Sequence, residues 1–135
     1  MRRLCWLVLL LPLAGCAGGP HYDFLTTKDC LQRAAVPFRD VTKELSDGGD
    51  GTLQFSYGGE SGILNVGFYR SAQTAADLED GYSAWVRNSD PRMPWATLRM
   101  RRRGNLFLAW YDPPPRRITA SLDRCLDEAR DHDVG

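Results

Sequence analysis

Alternating apolar and polar residues predict two β-hairpins. From Thr52 to Tyr57 every second residue is apolar, a glycine-containing turn follows at 58–61, and an apolar return strand covers 63–69. A second alternation around Leu98 and Met100 leads into a turn at 103–105 and an apolar strand over 106–111. The chain therefore contains strands that pair as sequence neighbours, which is typical of an antiparallel sheet.

Helical periodicity predicts three helices around these hairpins. The first is expected over Thr27–Ala35, with capping-box-like spacing between Thr26 and Asp29, and Pro37 after its end. The second follows a cap at Ser71, buries residues at helical spacing and ends near Asn88. The third starts after Pro113-Pro114-Pro115 and carries an apolar stripe, formed by Ile118, Leu122, Cys125, Leu126 and Ala129.

The order of elements predicts the fold class. Residues 38–42 could form a brief edge strand, and the glycine- and aspartate-rich run 46–51 reads as a loop. The resulting order is α-(β)-ββ-α-ββ-α. We expect an α+β fold of two layers, with an antiparallel sheet of two hairpins and the helices on one face.

The amino-terminal residues carry the most specific signal. Arg2-Arg3 precede a short apolar run over Leu4–Leu11, and small residues lead to Cys16. The apolar run is too short to span a bilayer. The ending Leu13-Ala14-Gly15-Cys16 resembles the lipobox of bacterial lipoproteins. That resemblance implies that the thiol of Cys16 receives a diacylglycerol and that the preceding peptide is removed.

The lipobox resemblance defines the expected domain organisation. Residues 1–15 would be the signal peptide, 16–25 a tether, 26–131 a single α+β domain and 132–135 a tail. Two or three acyl chains hold a protein on a membrane essentially permanently. We expect the extracytoplasmic side of the cell envelope, and the outer membrane if the host has two membranes, because Ala17 replaces the aspartate associated with inner-membrane retention.

The remaining cysteines predict a disulfide. With Cys5 removed with the signal peptide and Cys16 lipidated, Cys30 and Cys125 are left. Compartments beyond the cytoplasmic membrane are oxidising, so we expect these two to pair; two buried free thiols are the alternative. A metal site is less favoured, because isolated cysteines without neighbouring histidines lack the usual ligand set.

Composition and charge exclude several classes of function. The chain is 43% hydrophobic and 25% charged, with 17 basic and 17 acidic residues in the precursor, which is typical of one globular domain and disfavours nucleic acid as a partner. Both histidines lie at the ends, at His21 and His132, so no catalytic triad is expected. The loop at 47–51 lacks the alternating ligands of a calcium loop. We predict no cofactor and no metal.

One cluster of basic residues is a candidate binding surface. Arg99, Arg101 and Arg103 alternate along one predicted strand and should share a face. Arginine matches phosphate and carboxylate oxygens in bidentate geometry, so this face could bind an anionic envelope component or an acidic protein surface. The alternative is a charged edge that prevents hairpins from aggregating. Trp95 and Tyr111 are close to this cluster in sequence.

Two functional hypotheses remain from the sequence. The first is a noncatalytic envelope lipoprotein that binds a partner; the second is a small hydrolase that uses carboxylates such as Glu60 and Glu79. We favour the first. The domain also resembles small secreted proteins of high-GC bacteria, through Cys30-Leu31, Gly104-Asn105 before a strand ending in Trp110, and Cys125-Leu126. That resemblance implies no activity.

Overall fold

The computed structural model describes residues 19–45 and 49–130. The signal peptide, Cys16, part of the predicted loop at 46–51 and the tail at 132–135 lie outside these residues. The described part contains the helices α1 (Phe24–Arg33), α2 (Ala72–Asn88) and α3 (Arg116–Ala129), and a 3-10 turn at Pro94–Thr97. Its strands are β1 (Arg39–Asp40), β2 (Gly51–Gly58), β3 (Gly62–Phe68), β4 (Arg99–Arg103) and β5 (Leu106–Trp110).

The strands form one antiparallel sheet in the order β1-β2-β3-β5-β4. The two predicted hairpins are β2–β3 and β4–β5, and they join through the pairing of β3 with β5, in which Val66 lies opposite Leu108. Gly104 takes a φ of +55° in the tight β4–β5 turn, a conformation that favours glycine. The α+β class, the antiparallel sheet and the element order are therefore confirmed.

The main core lies between one face of the sheet and the helices α1 and α3. Alternation along the strands directs a set of apolar residues to this face, and they pack against the apolar sides of the two helices: Leu53, Phe55, Leu64, Val66, Phe68 and Leu106. The predicted disulfide joins α1 to α3 here, with Cys30 and Cys125 both buried. The pairing of these two cysteines is confirmed.

Helix α2 packs on the opposite face of the sheet, so the expectation that all helices lie on one face is wrong. Ala75 and Leu78 of α2 contact a second apolar cluster with Phe107, Met100 and Ala109. The physical reason lies in β5, whose residues are apolar on both faces: Leu106 faces the main core, while its neighbour Phe107 faces α2. Burying both faces requires cover on both sides, and the molecule has three layers.

Helix α1 begins earlier than the sequence predicts. The carboxylate of Asp23 accepts a hydrogen bond from the Thr26 N–H at 2.8 Å and caps the helix, so it starts at Phe24 rather than Thr27. The helix ends at Arg33, and Ala35 adopts a φ of +55° in a Schellman motif closed by the Val36 N–H and the Leu31 carbonyl at 3.1 Å. The proline at 37 lies beyond this turn.

Ordered structure also extends into the residues predicted as a tether. Tyr22 is 3% exposed and pairs with Arg130 in a β-bridge beside the end of α3. Its main chain is fixed by Asn105, whose side chain accepts from the Tyr22 N–H at 2.7 Å and donates to the Tyr22 carbonyl at 3.0 Å. The chain therefore enters the domain next to the β4–β5 turn.

Candidate functional site

An uncovered part of the sheet lies beside α2. This helix contacts β4 and β5, which leaves the β2–β3 half of the same face open. The space is a cleft of about 530 Å³, within the range typical of small-molecule sites. We call it the aromatic cleft; it is lined by Glu44, Leu45, Thr52, Asn65, Gly67, Tyr69, Tyr82, Trp85, Leu98, Phe107, Ala109 and Tyr111.

Three aromatic side chains of this cleft are exposed. Tyr82 is 41% exposed, Trp85 is 46% exposed and Tyr111 is 38% exposed. Tyr82 and Trp85 are three residues apart on α2, so they lie on the same side of the helix. Exposed aromatic residues gathered on one concave surface mark a binding site more often than single exposed ones do.

The aromatic rings are held in fixed orientations by one another. Tyr82 stacks on Phe107 with ring centroids 5.5 Å apart and an interplanar angle of 17°. Trp85 stacks on Trp95 at 5.7 Å and 16°, and its edge meets Tyr82 at 6.3 Å. The Trp95 indole N–H donates to the Ser89 hydroxyl at 3.0 Å, which anchors the outer end of the row. A ligand would therefore meet rings that lose little rotamer freedom on binding.

The β2–β3 part of the floor of the aromatic cleft carries polar side chains. Asn65 lies beside Gln54, whose amide nitrogen donates to the Asn65 Oδ1 at 3.1 Å. Thr52 and Gly67 complete this part of the floor. A side chain at position 67 would collide with the Tyr69 ring, since a Cβ there would lie 2.7 Å from the Tyr69 hydroxyl oxygen. Glycine at this position therefore lets Tyr69 lie across the sheet.

Few charged side chains of the described residues line the aromatic cleft. Among residues 19–45 and 49–130, Glu44 is the one Asp, Glu, Lys or Arg in its lining, and its exposed carboxylate lies 3.9 Å from the Arg39 guanidinium. General acid–base hydrolysis by two carboxylates needs a facing pair. Glu60 lies in the β2–β3 turn and Glu79 on α2, and neither lines this cleft. The lining residues can contact and hydrogen-bond a ligand, but they include no such pair.

The predicted arginine surface lies on the other face of the sheet. The register of β4 against β5 places Arg99, Arg101 and Arg103 opposite Trp110, Leu108 and Leu106, so all three share the face of α1 and α3. Arg101 and Arg103 line a second cleft of about 630 Å³ together with Trp110, Pro113, Pro114 and Asp123, among others.

The three arginines are not equivalent. Arg103 forms an ion pair with Asp123 at 2.7 Å, donates to the Tyr22 hydroxyl at 3.1 Å and lies over the Tyr22 ring. Burial alone would lower the pKa of Arg103, but the bonds to Asp123 and Tyr22 outweigh burial and raise it. Arg99 and Arg101 are exposed and form no ion pair within the described residues. Only these two are available to an external anion without breaking an internal contact.

Trp95 and Tyr111, which are close to the arginines in sequence, lie away from them. Both belong to the α2 side of the sheet, because Tyr111 follows Trp110 by one residue and Trp95 stacks on Trp85. The aromatic cleft could not be predicted, because its rings come from separate parts of the chain that meet only in the fold. A signal was available in α2, where the spacing of Tyr82 and Trp85 places two aromatic side chains on one side of the helix.

The remaining site predictions concern the lipidated cysteine, the histidines and metal binding. Cys16 and His132 lie outside the described residues. Within residues 19–45 and 49–130, no three His, Cys, Asp or Glu side chains gather as they would around a metal ion. In the same residues no helix combines the length and apolarity needed to cross a bilayer.

Comparisons with known proteins found no similarity to report. No family model, no curated protein and no solved structure matches the chain.

Proposed function

We propose that this protein is a lipid-anchored envelope protein whose domain is a noncatalytic binding module. The anchor is the diacylated thiol of Cys16, as the lipobox-like Leu13-Ala14-Gly15-Cys16 implies, and the domain faces the extracytoplasmic side, on the outer membrane where the host has two membranes. The buried disulfide between Cys30 and Cys125 supports this location, because disulfides persist in oxidising compartments.

The aromatic cleft is the observation that carries the binding function. It combines exposed, mutually stacked rings with a polar floor, as small-molecule and partner sites do. In the described part of the chain, its lining holds the hydrogen-bonding amide of Asn65 and a single carboxylate, that of Glu44. The arrangement favours recognition over hydrolysis.

A second contact, with an anionic envelope component, draws support from Arg99 and Arg101. Both guanidinium groups are exposed on one face of β4 and form no ion pair within the part of the chain that the structure describes. Because β4 is an edge strand, these charges also discourage pairing with another sheet. Anion binding and edge protection use the same residues and are compatible.

Anchoring and binding can be tested in one strain. Detergent-phase partitioning should place the wild-type protein in the detergent phase and the Cys16→Ala variant in the aqueous phase or in an unprocessed form. A photo-crosslinking residue at Tyr111, in the aromatic cleft, should then capture an envelope component, whereas the same residue at the exposed Leu25 on α1 should not. Equal capture at both positions would contradict the binding function, and detergent-phase retention of Cys16→Ala would contradict the anchor.

A further inference from the structure

The aromatic cleft is distinguished from a site for anions by its charge. Among residues 19–45 and 49–130, neither lysine nor arginine lines it, and the one charged side chain that does is the carboxylate of Glu44. The guanidinium groups of Arg99 and Arg101 lie on the other face of the sheet. The Arg39 guanidinium, 3.9 Å from the Glu44 carboxylate, is already paired with that carboxylate, so a phosphate or carboxylate ligand would gain little net positive charge here. A ligand for this cleft is neutral or cationic.

The floor of the cleft also disfavours an extended peptide. β3 and β5 are paired with strands on both sides, and Thr52, the β2 residue in the cleft, accepts from the Val41 N–H and donates its own N–H to the Thr42 hydroxyl, so these backbone groups are already used. A peptide lying on them would find few partners for its own backbone groups, and unpaired polar groups are costly when buried. Peptides that bind sheets obtain their main-chain bonds from an edge strand instead.

A purely apolar chain is disfavoured by the polar floor. The half-buried Asn65 amide would lose its remaining contact with water under such a ligand without gaining a hydrogen bond. The ligand that fits both halves of the cleft has one apolar face and a polar perimeter. A pyranose ring has this form, because its axial C–H groups form an apolar face and its hydroxyl groups point outward in the ring plane.

We infer that the aromatic cleft binds a neutral saccharide unit of a glycan. A pyranose would place its C–H face on the exposed ring of Trp85, beside the Tyr82 ring that meets it at 78°, and direct its hydroxyl groups toward Asn65 and the Glu44 carboxylate. Stacking the apolar face on a ring already fixed by Trp95 stabilises the complex at little entropic cost. This inference rests on the proposed binding function and names its ligand class.

The test uses the full chain in a detergent that has no sugar headgroup. Binding to insoluble peptidoglycan is measured by co-sedimentation, and a glycan array serves as the broad screen. Chitotriose, cellotriose and maltotriose are then titrated into the protein. With ¹⁵N-labelled protein, a bound saccharide should shift the indole N–H signals of Trp85 and Trp95. The signal of Trp110, on the opposite face, should remain unchanged.

Substitutions locate the binding. Trp85→Ala should weaken saccharide binding about tenfold or more, whereas Leu25→Ala, which removes an exposed apolar side chain from α1, should leave it unchanged. Tyr111→Ala provides a second cleft variant if Trp85→Ala does not fold. Glu44→Gln should retain part of the binding, since an amide still accepts a hydrogen bond.

Two results would overturn the inference. One is the absence of binding to every saccharide on the array and to peptidoglycan; the other is binding that shifts Trp110 and is insensitive to Trp85→Ala and Tyr111→Ala. Capture of a protein at Tyr111 without saccharide binding would leave the binding module in place and refute the ligand class alone.

Discussion

Replacing Asn105 should be among the most destabilising single changes in the domain. Its side chain is 1% exposed and joins three segments: it accepts from the Tyr22 N–H and donates to the carbonyls of Tyr22 and Tyr69, at 3.0 and 2.9 Å. Asn105→Ala leaves all three main-chain groups buried without this partner. The change therefore acts on the entry of the chain and on the end of β3 together.

The magnitude follows from the number of bonds lost. Each of the three contributes about 1 kcal/mol net, and a buried group left without a partner can cost about 1–3 kcal/mol. Water entering the vacated space would satisfy some of the groups, so we expect a loss of about 3–5 kcal/mol. That is a large part of the roughly 5–15 kcal/mol by which folded domains are stable.

Urea denaturation followed by circular dichroism measures the loss. The control is Gln54→Ala, which removes one half-buried hydrogen bond to Asn65 and should cost about 1 kcal/mol or less. Asn105→Asp gives a second test that depends on pH, because the new carboxylate would face two carbonyl oxygens. The pKa of this carboxyl group should be raised in the folded protein. The variant should therefore lose more stability as the pH rises above about 4 and less in acid. A cost below about 1 kcal/mol for Asn105→Ala would refute the reasoning.

Four further predictions follow from other parts of the structure. Cys30→Ala should lower the free energy of unfolding by about 4–5 kcal/mol, because the disulfide closes a separation of 95 residues. Reductant should destabilise the wild type by the same amount and leave the variant unchanged. A loss below about 1 kcal/mol would contradict this prediction. Ala35→Gly should raise stability by about 0.5–1 kcal/mol in the same urea assay, since glycine adopts the φ of +55° without strain; a loss would count against the Schellman turn. The pKa of Asp40 is lowered to about 2, mainly by the hydrogen bond from the Lys28 ammonium. The contribution of this carboxylate to folding stability, about 0.5–1 kcal/mol, is therefore present above pH 4 and is lost as the pH falls toward 2. Asp40→Asn should lower the free energy of unfolding at pH 7 but not at pH 2. Replacing Arg99 and Arg101 together by Gln should weaken binding to anionic vesicles in a salt-dependent way while changing stability by less than about 0.5 kcal/mol, and unchanged binding would leave these arginines with edge protection alone.

The elements of the fold could be predicted from sequence because their signals are local. Alternation along 52–57, the apolar run over 106–111, the cap at Ser71 and the prolines before Arg116 each specify an element from neighbouring residues. The Ser71 hydroxyl does accept from the Thr74 N–H, at 3.1 Å. Strand pairing within each hairpin is equally local, since the turn fixes the register.

Placement of α2 could not be predicted from its own sequence. The apolar side of α2 specifies that the helix packs on something, but not which face of the sheet it covers. That choice depends on β5, where both Leu106 and Phe107 need cover, and on α1 and α3 already occupying the face of Leu106. The buried role of Asn105 was missed for a related reason, because its partners at Tyr22 and Tyr69 are distant in sequence.

The geometry of the tether and the aromatic cleft is consistent with access to a large ligand. The chain enters the domain at Tyr22, beside Asn105 and the start of β5. Tyr111 follows the far end of β5, about 20 Å away at the usual rise of a strand. Tyr82, in contrast, stacks on Phe107, one residue from the start of β5. Under the proposed anchorage at Cys16, the Tyr111 end of the aromatic cleft therefore stands away from the tether, and a glycan can enter the cleft from that end while the protein remains on the membrane.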